Sequence, residues 1–345
     1  MLPPKLQADL VKLSKAIRAD KEVSTHLSSC VSGLKGLPPD IITRAATEIR
    51  DAGDLYAKSK SGERLWLAIP KALYAAFSNA EMVTLAKYPQ LADLYIFHAD
   101  GWHREAALKR LDEPPDNPFI FIAIVVRLND WVEQVRDAAC DCADRLFPHV
   151  SPGTVAETLF FLFTQIQHWG RWGERERQVL EATLYRRDVM QVFADLLTGR
   201  RSGQVGTVLR HALSRPSLDD ALPELAHDAA LPSVRAIAYE TLIFRRAQWQ
   251  VGYEYQWVDK RYGLRRRVPR LEFRPLDHQL DIEKLIVQAA RDRAAVVRKV
   301  AARGLIDLRH DLSSEMIDVG KLLARDVAAS VRSRAEFYLD KISDN

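Results

Sequence analysis

The segment from Trp249 to Pro275 contains the residues best suited to binding chemistry. Its seven basic side chains outnumber three acidic ones, and the resulting charge of +4 equals the net charge of the whole chain. Six of the seven are arginines, whose planar guanidinium groups bind phosphate or carboxylate in a bidentate manner. The basic residues are Lys260, Arg261, Arg265, Arg266, Arg267, Arg270 and Arg274.

Large apolar side chains alternate with polar ones at the start of this segment. They are Trp249, Val251, Tyr253, Tyr255 and Trp257. A period of two predicts an extended strand with one almost entirely aromatic face. Residues 259–263 predict a turn that includes Gly263, and 264–273 predict a returning strand, for which Pro269 favours an edge position. The sequence therefore predicts a β-hairpin over 249–275.

Three interpretations of this hairpin follow from its composition. Its arginines and aromatic rings could bind the phosphates and bases of a nucleic acid. They could instead bind an acidic protein partner, since Trp, Tyr and Arg are enriched at interaction hot spots. Finally, the aromatic face could pack on neighbouring helices while the arginines protect a solvated edge. We favour a protein partner, with nucleic acid as the alternative, and expect binding through Trp249, Tyr253, Tyr255, Trp257 and the seven basic residues.

The rest of the chain predicts helices almost throughout, and one phrase recurs four times. The phrase is an aspartate, a Val-Arg pair whose arginine lies six or seven residues later, and an alanine three residues after that arginine. Such repetition is typical of stacked helix pairs. Two of its arginines are 34 residues apart, whereas another two are 63 apart with the hairpin between them. The copies are Asp130/Val135-Arg136/Ala139, Asp228/Val234-Arg235/Ala238, Asp292/Val297-Arg298/Ala301 and Asp326/Val331-Arg332/Ala335.

This phrase resembles the HEAT repeat, which carries an aspartate between paired helices and a Val-Arg near the start of the second helix. The resemblance implies an all-α fold, a right-handed α-solenoid that binds proteins or, in some members, nucleic acid. We expect a divergent N-terminal region or cap over 1–99, repeats over 100–248, the hairpin insertion over 249–275 and further repeats over 276–345.

Two roles are open for the repeated aspartates and arginines. The arginines could form a ligand-binding stripe, since they recur on equivalent faces. Alternatively, each aspartate could accept backbone N–H groups at a helix start and pair with an arginine of its own or the next repeat. We favour the structural role, because a residue present in every repeat serves the stack.

No pattern in the sequence specifies a reaction. Phosphate-binding glycine loops, Gly-x-Ser-x-Gly and His-Glu-x-x-His are absent. His98 and His103 lack a neighbouring carboxylate pair, so we expect no metal and no cofactor. Some proteins similar to this architecture are alkylpurine DNA glycosylases, which implies an enzymatic alternative with Asp130, Trp131 and Trp102 as the nearest matching residues. We expect a non-catalytic binding scaffold.

Composition predicts a cytoplasmic protein without a membrane span. Apolar residues make up 47% and charged residues 28% of the chain, and the N-terminus has no secretory pattern. Cys30, Cys140 and Cys142 are an odd number without metal-ligand spacing, which indicates small buried side chains in a reducing compartment. Trp169 and Trp172 lie between helices, and we expect their indoles to cover the core at a helix end.

Overall fold

The computed structural model describes residues 1–19, 21–56, 81–277 and 280–343. Helices predominate, and one two-stranded antiparallel sheet is the only sheet of these described residues. The all-helical prediction with an inserted hairpin is therefore confirmed, while the right-handed solenoid remains a prediction. The chain divides into two compact units, Met1–Val189 and Met190–Asn345.

Most helices come in pairs joined by a short turn. In the first unit, α1 to α3 and the helical residues 81–87 (α4) precede three such pairs, α5/α6, α7/α8 and α9/α10. Their bounds are α1 Pro4–Arg18, α2 Ser24–Lys35, α3 Ile42–Ala52, α5 Ala92–Tyr95, α6 Gly101–Arg110, α7 Pro118–Arg127, α8 Glu133–Leu146, α9 Pro152–Gln165 and α10 Glu174–Leu184.

The remaining elements form four pairs with the hairpin between the second and third. The pairs are α11/α12, α13/α14, α15/α16 and α17/α18. Their bounds are α11 Arg187–Gly199, α12 Val205–Ala212, α13 Leu222–Asp228, α14 Pro232–Ile243, β1 Arg246–Asp259, β2 Leu264–Pro275, α15 Ile282–Ala290, α16 Ala295–Asp307, α17 Met316–Leu323 and α18 Ala329–Ser343.

Local sequence signals and packing together account for these helices. Asn117 and Ser151 cap α7 and α9 by accepting the backbone N–H groups of Ile120 and Thr154. The second helices of successive pairs lie side by side, in the order α6–α8–α10 in the first unit and α12–α14–α16–α18 in the second. The repeated alanines of the phrase are fully buried along these contacts, which allows the helices to approach closely.

An arginine in one helix pair forms a bidentate ion pair with an aspartate in the turn of the next pair. We call this contact the Arg–Asp bridge. The same arginine also donates to backbone carbonyls of its own turn, and the aspartate also accepts the N–H two residues after it. The bridges are Arg104–Asp130 (3.0 and 2.8 Å), Arg235–Asp292 (2.7 and 2.9 Å) and Arg298–Asp326 (2.5 and 2.9 Å).

Three residues of the repeated phrase lie outside this pattern, namely Arg136, Asp228 and Arg332, the last of which donates to the backbone carbonyls of Asp326 and Val327. Arg136 faces the carboxylate of Glu176 at 3.4 Å, so a glutamate at the start of α10 replaces the aspartate. Arg235 donates to the carbonyl of Ala229, six residues before it, where the other copies have aspartate. Asp228 lies one residue too early, is exposed and contacts His227 at 2.7 Å. Asp130, Asp292 and Asp326 thus make both contacts expected of the structural role, an arginine and a backbone N–H, whereas the contact shown for Asp228 is with His227.

The hairpin lies inside one interval of the bridge pattern. The two regular bridges join residues 26 and 28 positions apart, whereas Arg235 and Asp292 are 57 apart. The extra length matches β1, its turn and β2. Because the Arg235–Asp292 bridge closes across the insertion, the stack continues from α14 to α16 without a missing pair.

Replacing Arg235 with methionine should lower the free energy of unfolding by about 3–5 kcal/mol, because it leaves the Asp292 carboxylate and a turn carbonyl without their buried partner. Arg332 is the matched control, since among the described residues its hydrogen bonds go to the carbonyls of Asp326 and Val327 and to no carboxylate. Arg332→Met should lower the free energy by about 1–2 kcal/mol. Urea unfolding measures both, and equal losses would contradict a special role for the bridge.

Candidate functional site

The predicted hairpin forms, and its tip carries arginines against aromatic rings. Cross-strand partners share a face of the sheet, and Tyr255 pairs with Arg267 while Trp257 pairs with Arg265. The Arg267 guanidinium lies 3.7 Å from the centre of the Tyr253 ring, and that of Arg265 lies 5.6 Å from Tyr255 and 5.0 Å from Trp257. These distances are within cation–π range. We call these five residues the arginine–aromatic ladder.

The ladder is exposed to solvent. The rings of Tyr253, Tyr255 and Trp257 belong to residues that are 55%, 66% and 51% exposed. The interpretation in which these rings pack against neighbouring helices is therefore wrong. Exposed aromatic side chains held in a fixed array are typical of interaction surfaces rather than of a core.

Trp249 does not belong to the ladder. Between Gln250 and Gly252 the register shifts by one residue, so Val251 forms a β-bulge in β1. Trp249 pairs with Glu272, which lies on the opposite face of the regular strand β2 from Arg265 and Arg267. The predicted single aromatic face is therefore wrong at Trp249, because the bulge reverses the alternation of the residues before it.

The other basic residues divide between the second face and the turn. Arg266 and Arg270 lie on the face opposite the ladder, where they pair across the sheet with Gln256 and Gly252. Lys260 and Arg261 lie in the turn, which Gly263 closes with a φ of +66°. Among the described carboxylates, only Asp259 forms an ion pair with one of these four residues, at 3.7 Å from Arg261. The tip is therefore a concentrated and largely unneutralised positive surface.

Arg274 has a structural role instead of the predicted binding role. Its guanidinium forms a bidentate ion pair with the buried carboxylate of Asp219, at 2.8 and 2.5 Å, and donates to the carbonyls of Leu213 and Arg215. With its donors engaged, this arginine fastens the base of β2 to the segment between α12 and α13.

A second cluster brings together residues that are distant in sequence. Ligand atoms of Glu81, His98 and His103 lie within 4.8 Å of one another, and both histidines are 1% exposed. The Nε2 atom of His103 is 2.8 Å from Glu81 and its Nδ1 is 3.4 Å from Asp100. The sequence offered no sign of Glu81, because this carboxylate reaches the histidines only through the tertiary fold.

The geometry of this cluster favours a proton over a metal ion. His98 Nδ1 accepts a hydrogen bond from the backbone N–H of Asp100 at 3.0 Å. The aspartates of the Arg–Asp bridges likewise accept the backbone N–H of the residue two positions later. Neutral His98 must then carry its proton on Nε2, the nitrogen that faces Glu81 and would have to bind the metal. The rings of His98 and His103 are also stacked, with centroids 4.1 Å apart. In this arrangement the protonated Nε2 of neutral His98 has no free lone pair to offer a metal ion.

The two histidines have opposite pKa shifts. Burial, together with the positive charge of His103, lowers the pKa of His98 to about 3. Burial also opposes protonation of His103, but the carboxylates of Asp100 and Glu81 outweigh it and raise the pKa of His103 to about 9. At neutral pH His98 is therefore neutral, and His103 is the positively charged imidazolium with a proton on each ring nitrogen.

The residues of the enzymatic alternative are arranged differently from a reaction centre. Asp130 is buried and accepts hydrogen bonds from Arg104, Arg127 and the N–H of Val132, so its carboxylate is fully engaged. Trp131, next to it, points outward and is 70% exposed. In this arrangement the carboxylate of Asp130 is not available as a general base for a ligand bound at Trp131.

The three cysteines are free and buried, as expected from the sequence. Burial raises the pKa of each thiol to about 12, so none is a reactive thiolate.

No protein-family model matches the sequence, and no curated protein is significantly similar to it. Within the described part of the chain, every helix is too short or too polar to cross a lipid bilayer.

Arg274→Met should loosen the base of the hairpin, because Asp219 then loses its buried partner. Hydrogen exchange of the backbone amides in β1 and β2 should become faster in this variant. Arg270→Met is the control, since Arg270 is exposed and bound to no described carboxylate. Similar exchange rates in the two variants would show that the Arg274–Asp219 contact does not anchor the hairpin.

His103 should stabilise the fold in a pH-dependent way. Because its pKa is raised on folding, the stabilisation is complete below pH 6.5 and is lost as the pH rises through 9. The difference in unfolding free energy between the native chain and His103→Gln should shrink by about 3 kcal/mol over this interval. Urea unfolding at a series of pH values measures this difference. A difference that stays constant with pH would show that folding does not raise the pKa of His103.

Proposed function

We propose that this chain is a non-catalytic binding scaffold that presents the arginine–aromatic ladder to an acidic surface of a protein partner. The observation that carries this proposal is the exposed array of Arg265 and Arg267 over Tyr253, Tyr255 and Trp257. Stacking on a ring restricts the guanidinium plane but leaves its N–H edges available, so carboxylates can bind with little further ordering of the side chains.

The same geometry supports a protein partner over a nucleic acid. A base can stack only on a free aromatic face, and Arg267 covers one face of Tyr253 while Arg265 lies over both Tyr255 and Trp257. The remaining exposed ring surface and the guanidinium edges match a patch of apolar and acidic side chains. The net charge of the chain outside 249–275 is zero, so an extended phosphate backbone would find few further contacts.

The hairpin offers a matched pair of variants for testing this function. Arg265→Glu/Arg267→Glu reverses two charges on the ladder face, and Arg266→Glu/Arg270→Glu reverses two on the opposite face of the same strand. The native chain and both variants are used to capture partners from nuclease-treated extracts of the cells that produce it. In parallel, all three are titrated with a labelled mixed-sequence DNA duplex and with single-stranded RNA at low salt.

We expect the native chain and the Arg266→Glu/Arg270→Glu variant to capture the same protein. The Arg265→Glu/Arg267→Glu variant should capture at least tenfold less of it. Specific recognition of a protein depends on which face of the hairpin carries the changed charges, whereas attraction to a polyanion depends mainly on the total charge. Oligonucleotide binding that weakens equally in the two variants, without face-dependent protein capture, would overturn the proposal in favour of nucleic acid. Unchanged protein capture by both variants would show that the hairpin has no binding role.

A further inference from the structure

The two outer edges of the hairpin differ in what they offer to another strand. In the described sheet β1 and β2 pair with each other, so each strand has one edge whose backbone groups face away from its partner. Alternate residues of an antiparallel strand direct their N–H and C=O groups to opposite edges, so one contact sets the whole pattern. At the base of the hairpin, the N–H of Leu276 donates to the carbonyl of Arg245 at 2.9 Å.

The outer edge of β2 is interrupted by proline. Followed back from Leu276 through the register, the even-numbered residues of β2 bond to β1 and the odd-numbered residues face outward. Pro269 and Pro275 both fall on outward positions, where they have no N–H to donate. Proline on an outer edge protects a sheet against strand pairing. A strand from a partner therefore meets an incomplete edge at β2.

The outer edge of β1 is open at the ladder. β1 contains no proline, and its register is regular from Gly252 to Trp257. Tyr253, Tyr255 and Trp257 pair with odd-numbered residues of β2, so their own N–H and C=O groups also face outward. In the described part of the chain no group bonds to these outward positions, and residues 253–258 are exposed. The aromatic residues of the ladder therefore carry free backbone groups as well.

The arginines of the ladder reach towards this open edge. Arg265 and Arg267 belong to β2, yet their guanidinium groups lie over rings of β1, 5.0 Å from the centre of Trp257 and 3.7 Å from that of Tyr253. Neighbouring strands lie about 4.8 Å apart, so a strand added to β1 would lie beside these rings. Every second side chain of that strand shares the ladder face. Carboxylates at those positions would complement the two guanidinium groups.

We infer that the partner adds an extended segment as a third strand along the outer edge of β1, with acidic side chains at alternate positions facing the ladder. This mode of binding rests on the proposed function and specifies the segment that the ladder recognises. Main-chain hydrogen bonds to Tyr253, Tyr255 and Trp257 supply affinity, and the arginines select the carboxylates. A second copy of this chain is a poorer match, because two hairpins of charge +4 repel each other.

The test uses the full chain and a labelled eight-residue peptide in which glutamate alternates with threonine, a residue that favours strands. Fluorescence anisotropy measures binding. Two N-methylated forms are matched controls, one methylated at every glutamate and the other at every threonine. One form should bind at least tenfold more weakly than the other, because only alternate amides of an added strand face β1.

A peptide of four glutamates followed by four threonines has the same charge without the alternation, and it should bind at least tenfold more weakly. Equal affinities of the two methylated forms would overturn the inference. So would equal binding of the alternating and block peptides, which would indicate attraction to charge alone, or an absence of binding by the alternating peptide.

Two variants test the same contact from the protein. Tyr255→Thr removes the ring and keeps the outward N–H, whereas Tyr255→Pro removes both, at an outward position like that of Pro269. The proline variant should bind the alternating peptide at least tenfold more weakly than the threonine variant, with equal circular dichroism. Equal affinities would contradict main-chain pairing.

Hydrogen exchange followed by NMR locates the added strand on the native chain. The peptide should slow exchange of the N–H groups of Tyr253, Tyr255 and Trp257. Those of Arg265 and Arg267, on the outer edge of β2, should exchange as before. Slowing at both edges or at neither would overturn the inference. Slowing caused only by a higher protein concentration would also overturn it, in favour of a second copy of the chain.

Failure of strand addition and failure of the proposed function give different results. Capture of a protein that depends on the ladder face, with no difference between the proline and threonine variants, would refute strand addition and keep the ladder as the binding surface. Peptide binding that is unchanged in Arg265→Glu/Arg267→Glu would refute the role of the ladder arginines, and with it both proposals.

Discussion

The bidentate Arg–Asp bridge is the interaction on which the rest of the structure depends. A buried ion pair repays its desolvation cost only when the hydrogen-bonding groups of both partners are satisfied. Arg298 meets this condition by binding both oxygens of Asp326 and two carbonyls of its own turn, while Asp326 also caps the following helix. One contact therefore fixes the turn within a helix pair and the position of the next pair.

The exposed hairpin extends from a connection that two buried ion pairs hold. The Arg235–Asp292 bridge closes across the hairpin, and the Arg274–Asp219 contact fastens its base, so the exposed tip is presented from a rigid support.

Much of the architecture was predictable because it depends on local and periodic signals. Helical spacing predicted a helical chain, and the stretched interval between Arg235 and Arg298 located the insertion. Alternation and Gly263 predicted the hairpin and its turn, since a positive φ in a tight turn favours glycine. The repeated aspartates and arginines predicted an internal contact. Only the folded structure showed the distances between them and the replacement of aspartate by Glu176.

The sequence by itself therefore determined the element types, the repeat and the place of the basic aromatic segment. Only the tertiary structure decided which side chains act together. The bulge at Val251 separates Trp249 from the ladder, because one extra residue reverses every preceding position of a strand. Arg274 became an anchor and Glu81 a partner of buried histidines through contacts between distant segments. Composition and period carry no record of such contacts, since both describe neighbours along the chain.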